Sequence, residues 1–551
     1  MTAPQSRAWR VGRAVALTLF AAVFVVPLGA GLVLALREGS SVSAWIAMVA
    51  DPQLVLSWWA SVRIAITSTL LSLLLAMLLT AHLHGSRAWA WLDAALAPML
   101  AVPHAAFAIG CALLVMPSGL LARLLAHALG QSAPPDWHTV HDQTGLAMTA
   151  VLVLKEFPFL LWNMVALLAR PELAEQLQRH RLQAQTLGWR PTALWWRVWW
   201  PWLLPRLGWP LLAVLAYGLS VVDVALVVGP LAPPPLAVLA WQALLDGDVQ
   251  AQAVGAAQVI TLTATLLVAA LLGIAAIAWW RRMALRAASR GPRTTSSIVD
   301  AWRRAGVRAV LAIVIASYAL ALAFLLLAAG AGPWPFPRLL PDDWNALGWW
   351  HAAVPATLAF SAALAAAASA LALVLAVAWL ECVPAHGDAK LVPVLLAPLA
   401  VPPLLLLVGL YQGALALRLD GSLVGLLWVH VIVVLPYALI VLAPSWRGFD
   451  GRYETTARSL GRSRFAYWWL AKWPMQRSPI GAALAVGFAV ALAQYLPTLF
   501  IGAGRFATVT TEAVTLSAGG QRQVAAVYAL WQAVLPLAAF GVAGWLRRRS
   551  A

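Results

Sequence analysis

The chain is poor in nearly everything that soluble catalysis draws on. Only 10% of its 551 residues are charged, and just three are lysines: Lys155, Lys390 and Lys472. None of the three follows a glycine-rich phosphate loop, so the chain has no usual cradle for nucleotide phosphates and is not expected to hydrolyse ATP. Two cysteines, Cys111 and Cys382, make neither a disulfide framework nor a metal cluster. Cys111 stands inside an apolar run and reads as a small core residue. The ten histidines are scattered, without zinc-ligand spacing or a local nucleophile signature. No metal, cofactor or catalytic residue is therefore expected. Alternating segments of ~10 residues, the mark of a membrane β-barrel, are missing too.

What the chain has is continuous apolar sequence. Apolar residues make up 62% of it, which excludes a soluble globular protein of ordinary composition. Runs of ~20 residues, the length of a helix that crosses hydrocarbon, recur along it. In the first half they are Ala14–Leu36, Ile64–Leu83, Leu92–Val115, Gly145–Leu168, Trp202–Val228 and Val259–Trp280. In the second they are Ala309–Ala328, Ala353–Leu380, Leu391–Leu417, Val424–Ala443, Ile480–Ile501 and Val524–Trp545. The fold class expected is an all-α polytopic membrane protein of about twelve transmembrane helices, six per half. The first run has charged flanks and no small-residue cleavage signature, so it reads as a retained anchor.

A net charge of +17 suits nucleic acid, but its distribution follows topology instead. With the N-terminus and its Arg7, Arg10 and Arg13 in the cytoplasm, 29 of 37 Lys and Arg, counting Arg206 at the inner edge of its span, fall on the cytoplasmic side, 7 outside, and Lys155 within a span. This positive-inside bias predicts both termini in the cytoplasm, in a bilayer and with no nucleic-acid partner. The 31 tryptophans are read as interfacial anchors or lipid-facing residues.

The same sparse pattern occurs twice. Leu182-Gln183-Ala184-Gln185-Thr186-Leu187-Gly188 is followed by Pro201, and Thr455-Thr456-Ala457-Arg458-Ser459-Leu460-Gly461 by Pro474. Gly188 and Gly461 are 273 apart, as are Pro201 and Pro474, and Gly229 and Gly502. One offset held across a loop, a span and the next loop indicates two homologous halves fused head to tail. The expected division is 1–290 for the first half, 291–308 for a cytoplasmic linker and 309–551 for the second. Gly291-Pro292-Arg293-Thr294 supplies the linker's turn formers. A weaker echo pairs Val102-Pro103 and Gly110 with Val401-Pro402 and Gly409, at an offset of 299. These prolines are read either as matched kinks near a pore axis or as plain packing kinks. After spans five and eleven, turn-rich segments precede Leu236–Leu245 and Val509–Leu516, too short to cross and read as outward scoop or gate helices.

The two glycine-proline segments resemble the EAA loop of binding-protein-dependent ABC importer permeases. Ala184, Gly188 and Pro201 match in the first copy, and Ala457, Gly461 and Pro474 in the second. Leu182-Gln183 and Thr455-Thr456 depart from the Glu-Ala start, although Glu454 stands one residue away. Leu219-Ser220-Val221-Val222-Asp223-Val224-Ala225 and Ala493-Gln494-Tyr495-Leu496-Pro497-Thr498-Leu499 extend the resemblance. The whole chain is similar to fused permeases of the YnjC type, a group similar to the fused thiamine and ferric-iron importer permeases. That resemblance implies a type I importer fold in a bacterial inner membrane. It also implies two copies of a separate cytoplasmic ABC ATPase, a periplasmic substrate-binding protein, and elbows that carry motion from ATPase to membrane.

Charge inside a span is costly and faces a cavity or a partner. Lys155 and Glu156 are adjacent in mid-span, and Asp223 lies late in the fifth. Gln494 and Tyr495, in register with Val221 and Val222, are candidates to line the other half. These five residues are read either as a polar translocation lining or, for the charged ones, as structural ion pairs. The acids and the resemblance together point to a small-molecule or ion substrate, cationic or metal-containing, with thiamine-like solutes first. The alternative is an ion-coupled secondary transporter, which also uses repeated halves but needs no docking elbow.

Overall fold

A computed structural model describes residues 7–189, 191–288, 297–385, 388, 398 and 401–548. The linker residues 291–296 and most of 391–400, the start of the expected ninth span, lie outside the described residues. Among the described residues the regular structure is helical, apart from one isolated bridge between Ala331 and Trp344. Eleven helices among the described residues are long and apolar enough to cross a membrane. A helix is how such sequence must fold in lipid, because each backbone N–H and C=O has to find its partner within the segment.

Three expected spans are cut rather than continuous. Leu92–Val115 is broken at Val102-Pro103 into helices Arg87–Ala101 and His104–Val115. Proline lacks the N–H that would bridge the two. Trp202–Val228 ends one helix at Ser220 and starts another at Asp223. Ile480–Ile501 ends one at Leu492 and starts another at Leu496. Of the expected ninth span, the described part is Pro403–Ala416, too short to cross.

Two compact units emerge, and neither is a contiguous half of the chain. One contains Met1–Glu38, Ala101–Pro103 and Ala346–Ala551; the other contains Gly39–Leu100 and His104–Asn345. The first apolar helix of the sequence, Val11–Glu38, thus belongs with later spans, and Ala305–Gly330 with earlier ones.

Small residues let the helices approach within each unit. Ser57, Ser61, Ala65, Ser68, Ser72 and Ala76 form a buried stripe along Leu54–Leu83. A Cβ on Gly218 would stand 3.2 Å from the Ala65 Cα. In the other unit, Ala365, Ala368, Ala372 and Ala376 play the same part on Val354–Cys382. There a Cβ on Gly409 would fall 1.8 Å from the Gly31 carbonyl oxygen, so only glycine fits that crossing. Lipid gives helices no hydrophobic drive to associate, and close backbone packing takes its place.

The change of offset from 299 to 273 also has a location. Between Val115 and Leu146 the first half inserts helix Leu120–Leu129 and a loop, where the second half passes directly from Ala416 to Leu423. Arg123 of that insert is buried and donates to the carbonyls of Ser118 (3.0 Å), Trp334 (2.9 Å), Pro335 (2.9 Å) and Arg338 (2.6 Å).

Candidate functional site

Each predicted elbow is a helix closed by a left-handed glycine. Helix Pro171–Thr186 ends at Gly188 with φ +73°, and helix Arg452–Ser459 at Gly461 with φ +70°. Trp189 N–H donates to the Ala184 carbonyl at 2.8 Å, and Arg462 N–H to Ala457 at 2.9 Å. Gly188 N–H donates to Gln185 at 3.1 Å, and Gly461 N–H to Arg458 at 2.9 Å. This is the Schellman pair of bonds, which satisfies the last carbonyls of a helix and needs a residue free to take positive φ. Every donor and acceptor in the two copies is 273 apart. The motif alanines therefore sit where the closing bond lands.

The same offset governs the next segment of each copy. A π-helical turn spans Trp195–Trp199 in one and Trp468–Lys472 in the other. Pro201 and Pro474 then occupy the first positions of helices Trp200–Leu203 and Trp473–Leu492. A proline cannot bond back to the preceding turn and its ring crowds a carbonyl there, which a wider turn relieves.

The side chains that fix the two elbows differ. At the first, His84 meets the rings of Trp89 (5.4 Å) and Trp195 (5.6 Å), and Trp195 meets Trp199 (4.5 Å) and Trp200 (5.0 Å). Burial, with Arg181 adding to it, pulls the His84 pKa below 6.5, so the ring is held neutral. At the second, the partly buried Glu381, in the last turn of helix Val354–Cys382, gathers cations. Its carboxylate accepts from Lys472, from Trp446 Nε1 at 2.9 Å and from Arg464 at 3.4 Å. Beside it, Arg447 makes a bidentate pair with Asp388 at 2.8 and 2.6 Å. Sequence reading missed Glu381; an acid at the end of an apolar run, with cations in a later loop, was the available signal.

The charged residues in mid-span do not simply pair with each other. Lys155 donates to the Met99 carbonyl at 2.9 Å and lies 5.7 Å from the Tyr318 ring. Glu156 accepts from or donates to His104 Nε2 at 2.9 Å, and the His104 ring stands 4.6 Å from that of Tyr217. Asp223 opens the short helix Asp223–Val228 within electrostatic reach of His104. One unit thus brings Lys155, Glu156 and Asp223 to a common cluster. His104 and Tyr217 belong to it and were not anticipated; the signal for His104 was its place directly after the Pro103 break.

Gln494 and Tyr495 sit at the matching break of the other unit, between Leu492 and Leu496. The Gln494 amide donates to Val490 O of the preceding helix, 2.8 Å away, and Tyr495 is buried. Nearby polarity there is neutral: buried His430 contacts Thr498 Oγ1 at 3.1 Å.

The two short helices expected after these breaks are present as Leu236–Leu244 and Val509–Ala518. Each has its first N–H held by a serine of a distant helix, Leu236 by Ser61 at 2.8 Å and Val509 by Ser361 at 2.9 Å. A helix N-terminus leaves such donors unpaired, so the serines anchor both helices in the same way.

No family model matches the chain. No solved structure matches it either. Among curated proteins it is 34% identical over 532 residues, 95% of this chain and 95% of the relative, to the inner membrane ABC transporter permease protein YnjC of Escherichia coli strain K12.

Proposed function

The chain belongs to the ABC transporter permeases, and from that membership we propose that it is the inner-membrane subunit of an ATP-driven importer built from two fused halves. A permease is the multi-pass membrane subunit of such a transporter, and ATP hydrolysis resides on a separate subunit. In this reading two copies of the ATPase engage one chain, one at each elbow, and a periplasmic protein delivers the solute. The observation that carries it is the pair of glycine-closed elbows, identical in backbone bonding at an offset of 273. A turn fixed by its own hydrogen bonds moves as a body, which suits an element that passes motion from one subunit to another. The ion-coupled alternative has no use for such elbows and is left without support.

The test is co-expression with a candidate ABC ATPase. The tagged chain is expected to retain that ATPase at two copies per chain, and uptake into vesicles to require ATP. Purification without any ATPase, or uptake driven by an ion gradient alone, would sink the proposal. The twelve-span, in–in topology belongs to the same reading, supported by the arginine distribution. Labelling of a Ser297→Cys variant by an impermeant reagent on intact cells would contradict it.

For the solute, the reading is a small cationic or metal-containing nutrient, with thiamine-like molecules first, as in the similar thiamine and ferric-iron permeases. Glu156, Asp223 and Lys155 would line the path in one half, and Gln494 and Tyr495 in the other. The acids near His104 support this, since a cation entering a low-dielectric passage gains most from negative charge close by.

A further inference from the structure

Beside the first elbow lies a cleft of about 480 Å³ lined by Gln176, Arg179, His180, Gln183, Trp202 and Arg206. The first four share one face of helix Pro171–Thr186, at the spacing of successive helical turns. Trp202 forms the floor. Arg206 lies over its ring at 4.0 Å and donates to the Trp202 carbonyl at 2.6 Å, while the His180 ring meets its edge at 6.4 Å.

The cleft is positive and has room for a ligand's charge. Among the described residues Arg206 has no carboxylate within ion-pair distance, and His180 Nδ1 is enclosed without a hydrogen-bond partner. Arg179 does pair with Glu175, at 2.6 Å, but both side chains are largely exposed. Such a surface pair is weak and exchanges readily.

Its depth points to the occupant. The helical stretch begins at Thr192, yet Arg197 and Arg206 keep charge on it up to Arg206. From Leu207 to Val222 the sequence carries no further charge, so Arg206 marks the charged end of this segment. Trp209, three residues after Arg206, is 55% exposed, as expected of an aromatic at headgroup level. The other half keeps only part of this set: Arg452 stands in register with Arg179, but Met475 and Pro479 replace Trp202 and Arg206.

We propose that this cleft binds the phosphodiester headgroup of an anionic phospholipid, with Arg206 and Arg179 on the phosphate oxygens and His180 as a further hydrogen-bond partner. One chain would then hold one such lipid, at the first elbow only. A guanidinium suits phosphate through paired N–H donors.

The full-length chain in mild detergent is titrated with phosphatidylglycerol or phosphatidylcholine, and native mass spectrometry counts the bound lipids. The expected result is a single retained phosphatidylglycerol per chain. Arg206→Gln and, separately, Arg179→Gln should each weaken it about fivefold, the share of one basic side chain at an anionic surface. Arg206→Lys, which keeps the charge but loses the paired donors and the planar seat on Trp202, should recover only part of the affinity. Arg462→Gln, an equal charge loss at the second elbow, should leave it unchanged. Because Arg179 is exposed, its variant tests the cleft even if Arg206→Gln fails to fold. Unchanged phosphatidylglycerol binding in both glutamine variants overturns the proposal. So does inorganic phosphate binding the cleft as tightly as the lipid. A loss of ATPase retention in these variants at unchanged lipid affinity would overturn it as well, and would assign the cleft to protein docking.

Discussion

The two elbows have one backbone and two chemistries. Both close on a positive-φ glycine, both carry a π turn, and both resume on a proline at the same offset. Around that shared trace the first elbow is seated among His84, Trp89, Trp195 and Trp199, and the second on the Glu381–Lys472–Arg464 cluster. Their helices differ as well, 16 residues in the first and 8 in the second. Shape has been held where side-chain anchoring has not. The docking role proposed for the elbows would require this, because a partner's groove would meet the turn and not the residues behind it.

The largest expected effect falls on the ionic anchor. Glu381→Ala leaves the partly buried Lys472 without its acid and Arg464 with Glu454 alone, at 3.9 Å, and breaking such a pair costs up to about 3–5 kcal/mol. The unfolding temperature should drop, with faster amide exchange at the second elbow and unchanged exchange at the first. A neutral Glu381→Ala would show that the anchor is incidental to this elbow. Next come the glycines. No atom lies within 4 Å of a Cβ built on either Gly188 or Gly461, so the cost of a side chain is backbone strain alone. Valine should cost about 1–2 kcal/mol at either site. It should lower ATP-driven uptake severely at normal membrane levels, while asparagine, which tolerates positive φ, is nearly neutral. Clearly unequal losses for Gly188→Val and Gly461→Val would break the equivalence of the two elbows.

These elbows were legible in sequence because glycine and proline mark backbone demands directly, whatever surrounds them. The short helices at Leu236 and Val509 were legible for the same reason, from the turn-rich segments before them. The breaks at Val221–Val222 and Gln494–Tyr495 were not. Valines in an apolar run carry no sign of a helix end, and Pro497 sits inside the second short helix rather than at the break. Which unit the Val11–Glu38 helix joins was equally hidden, since apolar helices of similar composition do not name their partners. His104 was missed as a lone histidine; its role depends on Glu156 and Asp223, which are far away in sequence and brought near only by packing.

A smaller effect is set by pH at the first elbow alone. The folded His84 pKa lies below 6.5, so the folded state binds fewer protons than the unfolded one. The stability this ring contributes is full above the unfolded pKa near 6.5 and is lost as pH falls from there through the folded value. Acidification should therefore loosen the first elbow before the second, seen as selective amide exchange around Trp195. His84→Phe, which keeps the ring and cannot charge, should remove that dependence. If exchange stays equally pH-sensitive in that variant, the source is another group.

The smallest expected effect concerns the breaks rather than the elbows, and it tests whether the halves differ in the path as they do in anchoring. Asp223 opens the short helix of one unit, and uncharged Leu496 holds the same register in the other. An acid at a helix start is favoured there in any case, by the dipole and the unpaired N–H groups. Asparagine keeps the shape and the capping ability and removes only the charge. Asp223→Asn should therefore fold normally and slow import of a cationic solute a few-fold, in vesicles with binding protein and ATPase present. A neutral solute of like size should be unaffected if charge is what matters. Equal slowing of both would instead assign Asp223 to orienting His104. Unchanged import would remove Asp223 from the path and leave Glu156 as the acid of that unit beside His104.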